Sequence, residues 1–124
     1  MERRITPQKK EYTAKEMEVH ARYQKALDEF LSRALEGYGE RIERIILFGS
    51  VARGEAREES DIDILIVTKD EDFRLRRALI GLAFDILLET GEDISVKALA
   101  KADFERGKDF SFLRHVVSEG VQVA

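Results

Sequence analysis

An α/β or α+β domain with a small sheet of three or four strands is what the sequence predicts. Three short runs rich in Ile, Leu and Val, at 41–48, 61–67 and 93–99, read as strands. Between and around them lie longer stretches whose apolar residues recur at helical spacing. The connection from the second run to the third is itself helical, whereas a long loop joins the first to the second. At 124 residues the chain is near the common domain size and long enough for a single buried core.

Residues 1–12, MERRITPQKKEY, are polar and basic without periodicity. They are expected to form a flexible tail ahead of a single domain over 13–124, the sharper alternative being a basic arm that touches a partner. Thr13 followed by Glu16 has capping-box spacing, in which each side chain satisfies the other's backbone N–H. Beyond it Leu27, Phe30, Leu31, Ala34 and Leu35 mark one buried helical face. Gly37 and Gly39 are expected to end this helix, because a left-handed C-terminal residue is cheapest as glycine.

The run RIERIILF (41–48) ends apolar on both faces, so it is expected inside a sheet covered on each side. DIDILIV (61–67) is the second strand. Thr68 and Glu71 repeat the capping-box spacing and predict a helix to about Glu89, closed by Gly91. Its core stripe is Leu75, Leu79, Leu82, Ala83, Ile86 and Leu87, while Arg74, Arg76 and Arg77 near its start read as a solvated face. DISVKAL (93–99) alternates strictly as a third strand. Short helices near KADFERG and SFLRHVVSEG, and an extended piece at VQV, complete the chain.

A formal net charge of -4 argues against broad, sequence-independent nucleic-acid binding, although a local basic patch is compatible with it. With no cysteine, disulfides and Cys-ligated zinc are excluded. No apolar run approaches the ~18 residues of a membrane span, and no signal-peptide pattern opens the chain, so a cytoplasmic location is expected.

Two aspartates interrupt the second strand. Alternation places Asp61, Asp63 and Leu65 on one face, with Ile62, Ile64 and Ile66 on the other. Neighbouring buried carboxylates are costly without a cation, and one is driven to protonate. Mg²⁺ resolves the conflict, since it prefers carboxylate and phosphate oxygens, and a pair of such ions clamps an in-line phosphoryl displacement. Asp61 and Asp63 are therefore candidate metal ligands for a phosphate-bearing substrate.

The other half of the pattern is the loop that leaves the first strand. Gly49 lets the backbone turn sharply and approach a ligand without a Cβ in the way. Ser50 offers a hydroxyl and an N–H, and SVARG can begin a short helix whose N-terminus favours anions. Arg53, one turn on, can reach the same phosphates, and Gly54 ends the turn. Ser60, opening the Ser-Asp-x-Asp run, is a further nucleotide-binding candidate. No Gly-Lys-Ser/Thr follows, so this is not a Walker loop, and the three-glycine dinucleotide fingerprint is also missing.

Taken whole, LFGSVARGEAREESDIDILIV resembles the signature of the DNA polymerase β-like nucleotidyltransferase superfamily, and more narrowly its minimal nucleotidyltransferases. The resemblance is close over about residues 42–67 and looser through the rest of the chain. It implies a small mixed sheet flanked by helices, two Mg²⁺ ions, and transfer of a nucleoside monophosphate from ATP or another nucleoside triphosphate with release of pyrophosphate. Carried onto this chain, Gly49 and Ser50 bind the triphosphate while Asp61 and Asp63 hold the metals. A third carboxylate is implied on a later strand. Asp93 is the candidate, though it stands at the edge of DISVKAL rather than between apolar residues, and Glu92 is expected to face the other way.

The resemblance also implies a partner, because minimal nucleotidyltransferases often pair with HEPN-domain proteins in toxin–antitoxin modules and can add AMP to the toxin. The chain looks too short to hold a macromolecular acceptor alone, so a HEPN partner or a second subunit is expected. The alternative is a catalytically weak module of the same fold that masks a partner. A nucleic-acid acceptor is compatible with the chemistry but unsupported by the charge, and His20 and His115 lack ligand spacing.

Overall fold

The computed structural model describes residues 13–124, so the reading of 1–12 as a flexible tail lies outside the described residues. Helix α1 spans Ala14–Tyr38, capped by Thr13 with both hydrogen bonds of the capping box to Glu16. A 3₁₀ turn, Gly39–Arg41, leads into β1, Ile42–Phe48. The short helix α2, Gly49–Ala52, and a loop precede β2, Ile62–Thr68. Helix α3, Phe73–Thr90, crosses to β3, Ile94–Ala100. Helices α4, Lys101–Gly107, and α5, Ser111–Glu119, lead to the two-residue β4, Val121–Gln122.

The sheet order is β3-β2-β1-β4. β1 pairs antiparallel with both β2 and β4, while β2 and β3 are parallel, as the helical crossover between them requires. This is the small mixed sheet flanked by helices that the sequence and the resemblance lead one to expect. One face carries Ile45, Leu47, Ile62, Ile64 and Ile66 into a large core with α1 and α3. On the other face Ile46, Phe48, Leu65 and Val67 meet Phe104 of α4 and Val116 of α5 in a smaller cluster. Coverage on both sides explains why these strands lack a polar face.

Two helix boundaries differ from the sequence expectation. Gly37 lies inside α1, and Gly39 is right-handed at φ -53, its N–H still donating to the Leu35 carbonyl. Leu35 and Tyr38 pack against the main core, and that packing carries the helix past Gly37 to Tyr38, with Gly39 as its right-handed cap. At α3 the cap is Asp72, not Thr68. Thr68 is held in β2, opposite Ile42 and Ala100, and its hydroxyl donates to the Asp70 carbonyl. The Asp72 carboxylate instead accepts the N–H groups of Arg74 and Leu75, at 3.1 and 3.0 Å, and pairs with Arg41.

Those bonds and the Arg41 guanidinium hold the Asp72 carboxyl below its ordinary range. Asp72→Ala should lower the melting midpoint by a few degrees near neutral pH, measured in thermal scans. Because the native value is depressed, this loss shrinks as the pH falls through it. An unchanged midpoint would mean that the cap is idle.

Candidate nucleotide site

The site lies where β1 ends and β2 begins, on the sheet face that carries the smaller cluster. Phe48 stands opposite Asp63 across the antiparallel pair, and Ser95 of β3 stands beside Asp63 on the parallel side. The chain then turns at Gly49, whose φ of +77 lies in the left-handed region. A Cβ built there would overlap the Asp63 carboxylate, its Cγ being 3.2 Å away. Two features of the signature, far apart in sequence, are thus in direct contact. The glycine is required twice, for its backbone angle and for the carboxylate against it.

Ser50 and Val51 occupy the first turn of α2, where amides have no intrahelical partner. The turn closes through Arg53 N–H to the Gly49 carbonyl at 3.2 Å and Gly54 N–H to the Val51 carbonyl at 3.1 Å, with Gly54 left-handed at φ 69. The Arg53 guanidinium lies 3.2 Å from Glu55 and 3.5 Å from Glu119, which ties this loop to α5. Ser60 has a local role here, its hydroxyl accepting the Arg57 N–H at 2.8 Å and shaping the loop just before Asp61.

Asp61 is exposed and Asp63 half-buried. Burial pushes the Asp63 carboxyl above its ordinary value, and the Asp61 charge pushes the same way. Lys97 and Arg53 oppose the rise without cancelling it. A half-buried carboxylate beside a second one is a donor set suited to a divalent cation, whose charge relieves both the burial and the repulsion.

Asp93 is exposed immediately before β3, and its carbonyl accepts the Ile62 N–H at 2.9 Å, so its main chain runs beside the start of β2. Its side chain is not gathered with Asp61 and Asp63: among the described residues no three acidic or imidazole groups converge as a metal-holding set. Glu92 is buried and faces α1, 3.5 Å from the Arg22 guanidinium.

Sequence reasoning overlooked two residues on the site's face. Lys97 is exposed on β3 and close enough to act on the Asp63 charge. Phe112, at the start of α5, sets its ring edge-on to Phe48 at 5.6 Å and lies 5.8 Å from the Lys97 ammonium. The strict alternation of DISVKAL did put Lys97 on the face of Asp93 and Ser95. Only the parallel pairing with β2 reveals that this face is also that of Asp63.

The raised Asp63 value makes a stability prediction for the metal-free protein. Ionising this carboxyl costs the native state free energy, so the penalty is absent at low pH and develops as the pH rises through the raised native value. With chelator present, Asp63→Asn should raise the midpoint near pH 7 by roughly 1–3 °C in thermal scans. The advantage should vanish well below about pH 4, where the carboxyl is protonated in the native and unfolded chains alike. An equal advantage at every pH would rule out charge as its cause.

Residues 24–123 match the sequence profile of the family described as "Nucleotidyltransferase domain". A Methanocaldococcus jannaschii protein named "Putative protein adenylyltransferase" is 43% identical over 97 residues, covering 78% of this chain and 93% of that protein. A second protein of that name and organism is 33% identical over 85 residues, covering 68% and 81%. Among solved structures, a "putative nucleotidyltransferase" from Sulfolobus solfataricus shares the fold with a TM-score of 0.60 at 20% identity, over 92% of this chain and 90% of that one. A mutant of the toxin–antitoxin MntA-HpeT aligns with a TM-score of 0.50 at 24% identity, over 76% and 69%. With the glycine turn and paired aspartates in place and the profile spanning most of its length, the chain belongs to the nucleotidyltransferase domain family.

Proposed function

We propose that this chain moves AMP from ATP to a protein acceptor, and that it works as the antitoxin of a HEPN-type toxin pair in the cytoplasm. The observation that carries the reading is the contact between the Gly49 turn and the Asp63 carboxylate, which sets the backbone assigned to the phosphates against the carboxylate assigned to the cation. The relatives named as protein adenylyltransferases support the choice of AMP and of a protein acceptor, and the likeness to MntA is consistent with a toxin as that acceptor.

The residues divide the work. The free amides and hydroxyl of the Gly49–Ser50 turn orient the phosphates, and Arg53 adds positive charge at the same end. Asp61 and Asp63 would hold Mg²⁺, which when bound supplies Lewis-acid neutralisation of phosphate charge. The acceptor oxygen attacks the α-phosphorus, the bond from that phosphorus to the bridging oxygen breaks, and pyrophosphate leaves. Asp93, exposed at the edge of β3, would take the acceptor's proton only after its carboxylate moves in toward the pair, from which it stands apart here. Ser60 is kept for shaping the loop under the nucleotide.

The test uses ATP labelled at either the α or the γ phosphorus, with Mg²⁺ and a candidate toxin. Adenylyl transfer labels the toxin from the α position only, with γ label recovered in pyrophosphate. Labelling from the γ position, or from neither, would overturn the reading.

One observation favours a second reading. Because no third carboxylate converges on Asp61 and Asp63 among the described residues, the fold could serve as a module that masks its partner. An Asp61→Asn/Asp63→Asn double variant that still neutralises the toxin would support masking, and one that fails while still binding it would support transfer.

A further inference from the structure

Helix α3 buries Leu75, Leu79, Ala83 and Ile86 against the main core, on the sheet face opposite Asp63. Its outer face is unusual for a solvated helix. Phe73, Ile80, Phe84 and Leu88 are 64%, 50%, 56% and 69% exposed, a run of large apolar groups along one side. Scattered apolar residues on a surface are ordinary, but a stripe at helical spacing marks an interaction face.

Gly81 sits in the middle of this stripe, exposed and within the helix interior, where glycine costs roughly 0.5–1 kcal/mol relative to alanine. Nothing among the described residues calls for it: its φ is not left-handed, and a Cβ there would meet open space. A glycine that no described neighbour requires is accounted for if another helix approaches its backbone closely, at the short end of the 8–10 Å range of interaxial distances.

The charges identify that helix. Arg77 and Asp85 are each four residues from Gly81, on the same i, i+4 row, and both are exposed. Neither enters an ion pair with a described residue. They lie about 6 Å to either side of Gly81 along the axis, from the 1.5 Å rise per residue. When two copies of α3 cross antiparallel with a two-fold axis at Gly81, Arg77 faces the partner's Asp85, and Asp85 faces the partner's Arg77. Opposite charges spaced equally about a central glycine, beside an apolar row, are self-complementary as a two-fold interface demands.

We propose that this chain forms a homodimer through α3, the two helices crossing antiparallel at Gly81 with reciprocal Arg77–Asp85 pairs and the apolar row of Ile80, Phe84 and Leu88 covered. The interface lies on the side of the sheet away from Asp63, so both nucleotide sites stay open.

Sedimentation equilibrium of the full chain, from about 1 to 100 μM, tests this. The wild type should fit a dimer. Gly81→Leu and Phe84→Glu should each raise the dissociation constant at least ~30-fold, as loss of a central contact does. Arg77→Asp and Asp85→Arg should each weaken self-association, because both place like charges across the axis. A one-to-one mixture of those two variants should dimerise again, since each then meets its opposite, and the Arg77→Asp/Asp85→Arg double variant should recover to within ~3-fold of wild type. Recovery by mixing keeps the test decisive even if one substitution lowers stability. A wild type that is monomeric throughout the range, or a dimer indifferent to both charge reversals, would overturn the proposal.

Discussion

Asp63→Ala should reduce nucleotidyl transfer by at least about 10³-fold, the scale of losing a principal charge-stabilising group at a reacting phosphate. The fold should survive, because Asp63 is half-buried at the mouth of the sheet and the substitution leaves its backbone pairing with Phe48 and Ser95 in place. Label transfer from α-labelled ATP and a far-ultraviolet circular dichroism spectrum separate the two effects. Asp61→Ala should act in the same direction. Transfer at wild-type rate in Asp63→Ala would remove this carboxylate from the chemistry and, with it, the cation-binding assignment of the pair.

The second large effect is expected at Gly49. Gly49→Ala forces a side chain into the left-handed region, at a cost of about 1–3 kcal/mol. It also drives a methyl group into the Asp63 carboxylate. Both stability and transfer should fall, with the overlap adding to the backbone cost. The two causes are separable by a double-mutant cycle. In an Asp63→Gly background the overlap disappears and Gly49→Ala should cost less, with only the backbone strain left. Chemical denaturation of the four proteins measures this. Additive costs would mean that the turn relaxes away from Asp63 and that the contact does not couple the two halves of the site.

Much of this architecture was legible because its signals are local. Alternation in the strands, the Thr13–Glu16 box and the apolar stripes of α1 and α3 each depend on residues within one or two turns. Gly49, Ser50, Asp61 and Asp63 stood out because each breaks an apolar run that packing alone would have kept apolar. The failures are those of context. Gly37 lost its stopping role to the packing of Leu35 and Tyr38, and Gly39 ends the helix in a right-handed rather than a left-handed conformation. Thr68 had the spacing of a cap but was already held by the sheet, so Asp72 took the role.

Lys97 shows the same limit at the site. Its face on β3 was readable, but its neighbour was not, since which strand lies alongside is decided by the crossover of α3. Phe112 reaches Phe48 only because α4 and α5 fold back over the sheet, a relation between residues 64 positions apart in sequence. Asp93 illustrates the converse: a carboxylate of the right kind, near the right strand, whose side chain is not gathered with the other two.

If the Gly49 turn and the Asp61–Asp63 pair together form one nucleotide site, both halves are needed for a nucleotide to bind. Isothermal titration with a non-hydrolysable ATP analogue tests it most directly, comparing wild type with the Asp61→Asn/Asp63→Asn double variant in Mg²⁺ and in chelator. The wild type should bind in a manner that depends on Mg²⁺, and the double variant should not bind. Equal binding by both proteins, or binding indifferent to Mg²⁺, would contradict it.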